Sequence, residues 1–217
     1  MLDLVIKNAR IADGTGQPAF LADLAVQNGV ITKIGAVCEE AAETIDAAQR
    51  LVTPGFIDLH SHGDATMAFF PEMQSKVMQG ITTIVGGQCG ISPAPCDVHW
   101  LSQYFEMEQL SKLSDHMYDA PELADPAVLS PLMKEKYGTG IEWRTFGEYL
   151  SFLERQGFGA NYVALVGHGT IRAQVMGEDY RRKATPDEIT RMCDYLRDAM
   201  RAGARGMSVG LDYPPGI

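Results

Sequence analysis

The alternation of strand-like and helix-like segments after Thr53 constrains the fold of this chain more than any other feature. Short apolar runs lie at residues 56–60, 81–85, 162–166 and 206–210, and helical stretches separate them. This alternation predicts parallel strands joined by helical crossovers, in a sheet that the helices bury. We therefore expect an α/β architecture for this part of the chain.

Capping residues indicate where the helices begin. Thr185, with Pro186 at the first helical position and Glu188 three residues on, predicts the start of a long helix. An amphipathic pattern predicts another helix over residues 146–156. A shorter helix is predicted over residues 72–79, closed by the glycine that follows it.

The first 53 residues have a different character, because short β-prone runs follow one another with turns between them. The pair Asn28-Gly29 stands between two such runs and predicts a tight β-hairpin. The pattern as a whole predicts a small antiparallel element of about 50 residues. An element with so few strands is too thin to stand alone.

Four strand-plus-helix units over residues 54–217 amount to half of an eight-unit barrel. A complete barrel needs about 250 residues, so we expect this chain to carry only the front half of a truncated or split protein. An insertion at about 91–143 separates the second unit from the third. Segments of this length are typically lids or oligomer contacts. His99 and His116 lie within it, and we expect both to be exposed to solvent.

Composition excludes several classes of function. A formal net charge of -10 argues against binding to nucleic acid or to anionic membranes, and it favours a small-molecule substrate. No apolar run approaches the roughly 18 residues of a membrane span, and no secretory signal is visible, so we expect a cytoplasmic protein.

His60 and His62 are the strongest candidates for metal ligands. Two histidines at positions i and i+2 of a strand project to the same face, and at the carboxyl end of a barrel strand they point toward its mouth. Neutral imidazoles suit zinc, and Asp58 and Asp64 are near enough in sequence to add oxygen partners. The alternative is that one histidine caps the strand while the other lies in solvent.

The context of these histidines resembles a known motif. Residues 52–64, Val-Thr-Pro-Gly-Phe-Ile-Asp-Leu-His-Ser-His-Gly-Asp, are similar to the first-strand motif of the amidohydrolase superfamily, which includes dihydroorotases, hydantoinases and N-acyl-D-amino-acid deacylases. Residues 5–16 resemble the small β-sandwich of the same superfamily. The resemblance implies that residues 1–53 contribute strands to that sandwich. It also implies that residues 54–217 form the first half of a metal-dependent (β/α)8 barrel.

The segment at residues 80–93 resembles the D-aminoacylase family in particular, as do residues 161–177 and 203–216. In that family a cysteine replaces the carboxylated lysine of the cyclic-amide hydrolases, so the resemblance implies that Cys89 is a metal ligand. The alternative for Cys89 is a buried apolar thiol, which is also what we expect of the other three cysteines, Cys38, Cys96 and Cys193.

The resemblance also suggests roles for two further residues. His168, at the end of the third predicted strand, is expected to line the substrate pocket, with metal binding as a less favoured alternative. Asp64 matches an aspartate that follows the histidine pair, and it either transfers protons or only orients ligands. The family's remaining ligands and its general acid/base come from later strands, to which no residue of this chain corresponds.

The activity implied by the resemblance is zinc-dependent hydrolysis of N-acyl-D-amino acids, with one or two zinc ions or another divalent metal. One alternative is a cyclic amide hydrolase of the dihydroorotase or hydantoinase type. Another is a catalytically incomplete fragment or interaction module. The chain alone is expected to be inactive, and to associate with itself or with a missing C-terminal half, because a half barrel leaves strand edges uncovered.

Overall fold

The computed structural model describes residues 1–96, 126–212 and 216. The chain divides into two compact units, Met1–Gly55 and Phe56–Ile217. The sequence placed this boundary after residue 53. Most of the insertion predicted at about 91–143, including His99 and His116, lies outside the described residues.

The first unit is a single five-stranded sheet. Its strands are β1 (Leu2–Ile11), β2 (Phe20–Gln27), β3 (Val30–Gly35), β4 (Ala41–Asp46) and β5 (Leu51–Val52). The order is β3-β2-β1-β4, and β5 also pairs with β1. The tight turn between β2 and β3 is confirmed, with Asn28 and Gly29 both at positive φ.

The prediction of a purely antiparallel element is wrong. Strands β1, β2 and β3 are antiparallel neighbours, whereas β4 and β5 both run parallel to β1. The turn at Asn28-Gly29 specifies only the local pair of β2 and β3. The pairing of β4 depends on the chain crossing from β3 to the far side of β1, for which the sequence carries no local signal.

In its described residues, the second unit has five short parallel strands in two sheets. The first sheet contains β6 (Phe56–Asp58), β7 (Ile81–Gly86) and β8 (Asn161–Ala164) in that order, and the second contains β9 (Val166–Gly167) and β10 (Met207–Ser208). The helices are α1 (Gln74–Val77), α2 (Pro126–Tyr137), α3 (Phe146–Gln156), α4 (His168–Met176) and α5 (Pro186–Ala202). The predicted α/β architecture with parallel strands is therefore confirmed.

Two details of the predicted strands are wrong. The strand at 56–60 is not buried, because Phe56 and Ile57 are 58% and 60% exposed and β7 is its one neighbour within the described part of the chain. The strand at 162–166 is interrupted at Leu165. The N–H of Leu165 donates to Gly86, whereas that of Val166 donates to Gly206, so the chain passes there from one sheet to the other.

The helix signals give a mixed result. Thr185 and Glu188 form a reciprocal capping box at the start of α5, as predicted, and Thr145 forms an equivalent box with Glu148 at the start of α3. The helix predicted at 72–79 is shorter, because Met73 adopts a left-handed conformation immediately before α1.

The core of the second unit contains aromatic residues and one fully buried residue of β7. Trp143 packs against Tyr149 and Phe152, with ring centroids 5.1 and 5.0 Å apart, and Ile84 of β7 is fully buried in the same cluster. Helix α3 contributes both Tyr149 and Phe152, so its buried face fixes the sheet on which the site is built. Within the described ranges, no helix is long and apolar enough to span a membrane.

Candidate metal centre

The segment after β6 presents two histidines on one side and a serine on the other. Ser61 is buried, its N–H donates to the carbonyl of Val85 at 3.1 Å, and its Oγ accepts from the N–H of Gly63 at 3.1 Å. Ser61 thus faces the protein, whereas His60 is exposed and His62 is half-buried. Their ring centroids lie 5.6 Å apart.

An ion pair between Asp58 and Lys76 lies next to this segment. Asp58, the last residue of β6, accepts a hydrogen bond from the N–H of His60 at 3.3 Å and from Nζ of Lys76 at 2.8 Å. The hydrogen bond from Lys76 lowers the pKa of Asp58 and so favours its carboxylate form. The predicted oxygen partner Asp58 thus touches the backbone of His60.

The environment of His62 favours the neutral imidazole. His62 is half-buried, and burial lowers its pKa, as do electrostatic interactions with His60 and Lys76. The neutral ring is the form that binds a metal ion.

Cys89 lies in the turn that follows β7, and its sulfur lies close to both histidines. Cys89 Sγ is 3.2 Å from Nε2 of His60, and one ligand atom from each of His60, His62 and Cys89 lies within 4.8 Å of the others. Around a tetrahedral zinc ion, nitrogen and sulfur ligands are about 3.3–3.7 Å apart. The 3.2 Å distance is close to this range, so the two imidazoles and the thiol could hold a metal ion, and the structure brings together the three predicted ligands.

Glycines allow the Cys89 turn to pack closely. Gly87 and Gly90 both have φ of 75°, a conformation that suits glycine. A Cβ on Gly90 would lie 2.7 Å from the backbone nitrogen of Gly210, and one on Gly87 would overlap the carbonyl of Leu165. The turn therefore lies against backbone from two other segments, with no room for larger side chains.

Asp64 is buried and contacts the turn, and it is not one of the three residues whose ligand atoms lie within 4.8 Å of one another. Its Oδ2 accepts a hydrogen bond from the N–H of Gly87 at 2.7 Å, and the hydroxyl of Tyr162 is 3.5 Å from the same oxygen. The hydroxyl of Tyr149 donates to the backbone carbonyl of Asp64 at 3.1 Å. Burial, together with the negative charge of Asp64, raises the pKa of both tyrosines well above the usual value, so both remain neutral donors.

Further contacts to the turn come from residues that sequence reasoning missed. Gln88 donates from Nε2 to the carbonyl of Leu59 at 3.0 Å, which ties the turn to the segment just before His60. The N–H of Thr170 donates to the carbonyl of Gly90 at 3.1 Å. No sequence motif identifies these contacts, because they join residues far apart along the chain.

His168 lies in a different place. It is the first residue of α4 and lines a cavity of about 680 Å³ together with Arg172, Met192 and Leu196. Burial and the positive charge of Arg172 lower its pKa, and its buried Nδ1 has no hydrogen-bond partner within the part of the chain that the structure describes. The structure does not bring His168 into the group formed by His60, His62 and Cys89.

The other cysteines differ in exposure. Cys96 is buried and Cys193 half-buried, but Cys38 is exposed, so the expectation of a buried thiol is wrong for Cys38. It follows β3 in the first unit, where a loop leaves its side chain in solvent.

Known proteins resemble this chain along almost its whole length. A D-aminoacylase of Alcaligenes xylosoxydans xylosoxydans is 36% identical over 214 residues, which cover 98% of this chain and 38% of that protein. The crystal structure of an N-acyl-D-glutamate deacylase from Bordetella bronchiseptica, complexed with zinc and a phosphonate that mimics the tetrahedral intermediate, matches with a TM-score of 0.76 and 33% identity. That match covers 99% of this chain and 40% of the other.

A structure from work on the binuclear metal centre of D-aminoacylase matches with a TM-score of 0.78 and 34% identity, over 100% of this chain and 40% of that one. The chain thus spans about two fifths of the length of these relatives. The model of the amidohydrolase family matches residues 43–213, which is most of the chain. On this evidence the protein belongs to the amidohydrolase family.

Proposed function

We propose that this chain contributes the metal site of a zinc-dependent hydrolase that releases D-amino acids from N-acyl-D-amino acids. The observation that carries the proposal is the convergence of His60, His62 and Cys89, whose ligand atoms lie within 4.8 Å of one another. A thiol at this position favours the deacylases over the cyclic-amide hydrolases. The similarity to a D-aminoacylase and to a zinc-containing deacylase supports the same substrate class.

For the fold, we propose that residues 54–217 are the first half of a (β/α)8 barrel and that residues 1–53 belong to a small β-sandwich. The parallel order β6-β7-β8 and the parallel pair β9-β10 support the first part. The site residues follow β6 and β7, at the carboxyl ends of strands, where barrel enzymes carry their active sites.

His60, His62 and Cys89 would hold one zinc ion, and a second ion, as in the binuclear D-aminoacylase, would need further donors. When bound, zinc supplies Lewis-acid polarisation of an amide carbonyl and activation of water. The half-buried His62 offers a neutral nitrogen. The Asp58 carboxylate accepts from the N–H of His60, and this contact fixes the backbone from which both imidazoles extend.

In this proposal Asp64 orients the turn that carries Cys89 and does not transfer protons. Its carboxylate is buried and accepts from the N–H of Gly87, so it holds the Cys89 turn, whereas proton transfer to substrate would require access to the ligand face. His168 lines a cavity together with apolar side chains. Substrate pockets commonly have such a lining, which supports the prediction that His168 contacts substrate.

The test uses the natural polypeptide that carries this chain, purified with zinc and incubated with a panel of N-acyl-D-amino acids and their L-enantiomers. We expect release of D-amino acids and loss of that activity in Cys89→Ala. The control is Cys38→Ala, which should leave the activity unchanged, because Cys38 is exposed and distant in sequence from Cys89. No release from any N-acyl-D-amino acid would contradict the proposal. Hydrolysis of hydantoins or dihydropyrimidines instead would favour the cyclic-amide alternative.

We also propose that the second unit is covered by further polypeptide, either from the same protein or from a second copy. Phe56 and Ile57 of β6 are exposed, and so are Met207 of β10 and the nearby Val209, at 42% and 50%. Exposed apolar residues on strands at the edges of sheets favour association. Sedimentation of the 217-residue chain should show self-association, and a well-folded monodisperse monomer would contradict this. A cytoplasmic location stays a prediction.

A further inference from the structure

The turn that carries Cys89 has a backbone conformation that a cysteine does not favour. Cys89 has φ of 56°, in the left-handed region where the Cβ atom crowds the following carbonyl. A residue keeps such a conformation only where the surrounding structure holds it. The position of Cys89 Sγ therefore depends on contacts that reach the turn from elsewhere in the fold.

The side chain of Ser208 makes two of these contacts. Its Oγ accepts a hydrogen bond from the N–H of Gly90 at 2.9 Å and donates one to the carbonyl of Gly87. Gly87 and Gly90 lie on either side of Cys89 in the sequence. One hydroxyl thus ties together both ends of the turn that carries the ligand.

Ser208 is itself held by the sheet. It lies on β10, opposite Gly167 of β9, and the N–H of Val166 donates to the carbonyl of Gly206 at 3.0 Å just before the pair begins. Ser208 is half-buried, so its side chain has limited freedom. The hydroxyl therefore links the Cys89 turn to a strand more than a hundred residues further along the chain.

The hydrogen bonds also argue against a direct chemical role for Ser208. A serine hydroxyl has a single proton to donate, and here it goes to the Gly87 carbonyl. We propose that Ser208 is a positioning residue, whose hydroxyl holds the Cys89 turn so that Sγ stays within reach of the two histidines. The inference rests on the proposed metal site at His60, His62 and Cys89.

The test compares Ser208→Ala with Ser208→Thr and with a matched control. The control is Ser130→Ala, because Ser130 Oγ likewise accepts from one N–H and donates to one carbonyl, both of Ile141, at 2.8 and 3.3 Å. Each variant of the natural polypeptide is titrated with Co²⁺ against a chelator. The readouts are the affinity for cobalt and the charge-transfer absorption between thiolate and cobalt, which reports directly on the bond to sulfur.

We expect Ser208→Ala to weaken cobalt binding by about 10- to 100-fold and to diminish the charge-transfer absorption. Ser208→Thr should retain most of both, and Ser130→Ala should match the unsubstituted protein. Equal behaviour of Ser208→Ala and Ser130→Ala would overturn the inference, and so would an equal loss in Ser208→Ala and Ser208→Thr. If the unsubstituted protein showed no charge-transfer absorption, the metal site would be refuted, and the inference with it.

A measurement on the unsubstituted protein covers the case in which Ser208→Ala does not fold. The amide of Gly90 donates to Ser208, so we expect slow hydrogen exchange at that amide in the metal-free protein. Exchange at the rate of an open loop would overturn the inference.

Discussion

The turn around Cys89 and the segment around His60 and His62 meet at one site but are held in different ways. The turn is tied to distant elements by the buried carboxylate of Asp64, by the Ser208 hydroxyl of β10 and by the backbone N–H of Thr170 in α4. The histidine segment is held by β7 and α1, because Ser61 donates to the carbonyl of Val85 and Asp58 pairs with Lys76, while His60 is exposed. The difference indicates that the sulfur of Cys89 is positioned in part by elements later in the chain, β10 and α4, whereas the imidazoles are positioned by the neighbouring elements β7 and α1.

The largest expected effect comes from removing the sulfur itself. Cys89→Ala deletes one of three donors, so zinc affinity should fall by more than the roughly 100-fold that marks the upper range for supporting residues. A zinc titration with a competing chelator measures this. Cys38→Ala serves as the control, since Cys38 is exposed in the first unit. Unchanged zinc affinity in Cys89→Ala would show that the thiolate does not bind the metal. The comparison between the turn and the histidine segment would then fail.

Loss of the buried charge of Asp64, which contacts the Cys89 turn, should have the next largest effect, here on stability. Asp64→Asn replaces the carboxylate that accepts from the N–H of Gly87, and the free energy of unfolding should fall by about 1.5–3 kcal/mol. Chemical denaturation measures the change. The matched control is Asp46→Asn, because the exposed Asp46 also accepts from a backbone N–H, that of Ala48, at 2.9 Å. Its effect should stay within about 0.5 kcal/mol. Equal effects of the two substitutions would contradict a special role for the buried carboxylate.

The histidine segment can be weakened without touching the turn. Asp58→Asn removes the charge that pairs with Lys76 and weakens the contact to the N–H of His60, so zinc affinity should fall by about 10-fold. The charge-transfer absorption of the cobalt form should keep its shape, since the sulfur stays in place. Asp194→Asn, at an exposed ion pair with Arg197, should change neither property. A lost charge-transfer absorption in Asp58→Asn would show that the two regions are not independent.

The smallest effect should come from a helix far from both regions in sequence. Thr185→Ala removes the capping hydroxyl that accepts from the N–H of Glu188, which should cost about 1 kcal/mol of stability. Thr185→Ser should retain the cap. Zinc affinity should be unchanged in both variants, and a loss of affinity in Thr185→Ala would mean that the site responds to general destabilisation.

The sequence predicted the parts of this protein that depend on local patterns. The cap at Thr185 and the turn at Asn28-Gly29 follow from residues within a few positions of each other, and both are present. The three proposed ligand residues were predicted from the spacing of the histidine pair and from a resemblance. The structure places their ligand atoms together.

Features that depend on long-range pairing were not predictable in the same way. The parallel pairing of β4 with β1 and the interruption at Leu165 arise where the chain moves between distant partners. No motif indicates that Ser208 contacts the turn or that Gln88, within the turn, contacts Leu59, because these contacts form only once β6, β7 and β10 are assembled. Residues that contact the Cys89 turn from a distance are therefore harder to find from sequence than the candidate ligand itself.

The most direct test of the central claim is zinc K-edge X-ray absorption on the zinc-loaded natural polypeptide. The account predicts a sulfur ligand at about 2.3 Å together with nitrogen ligands at about 2.0–2.1 Å. The sulfur signal should vanish in Cys89→Ala and persist in Cys38→Ala. A spectrum of the unsubstituted protein with nitrogen and oxygen ligands alone would contradict the account.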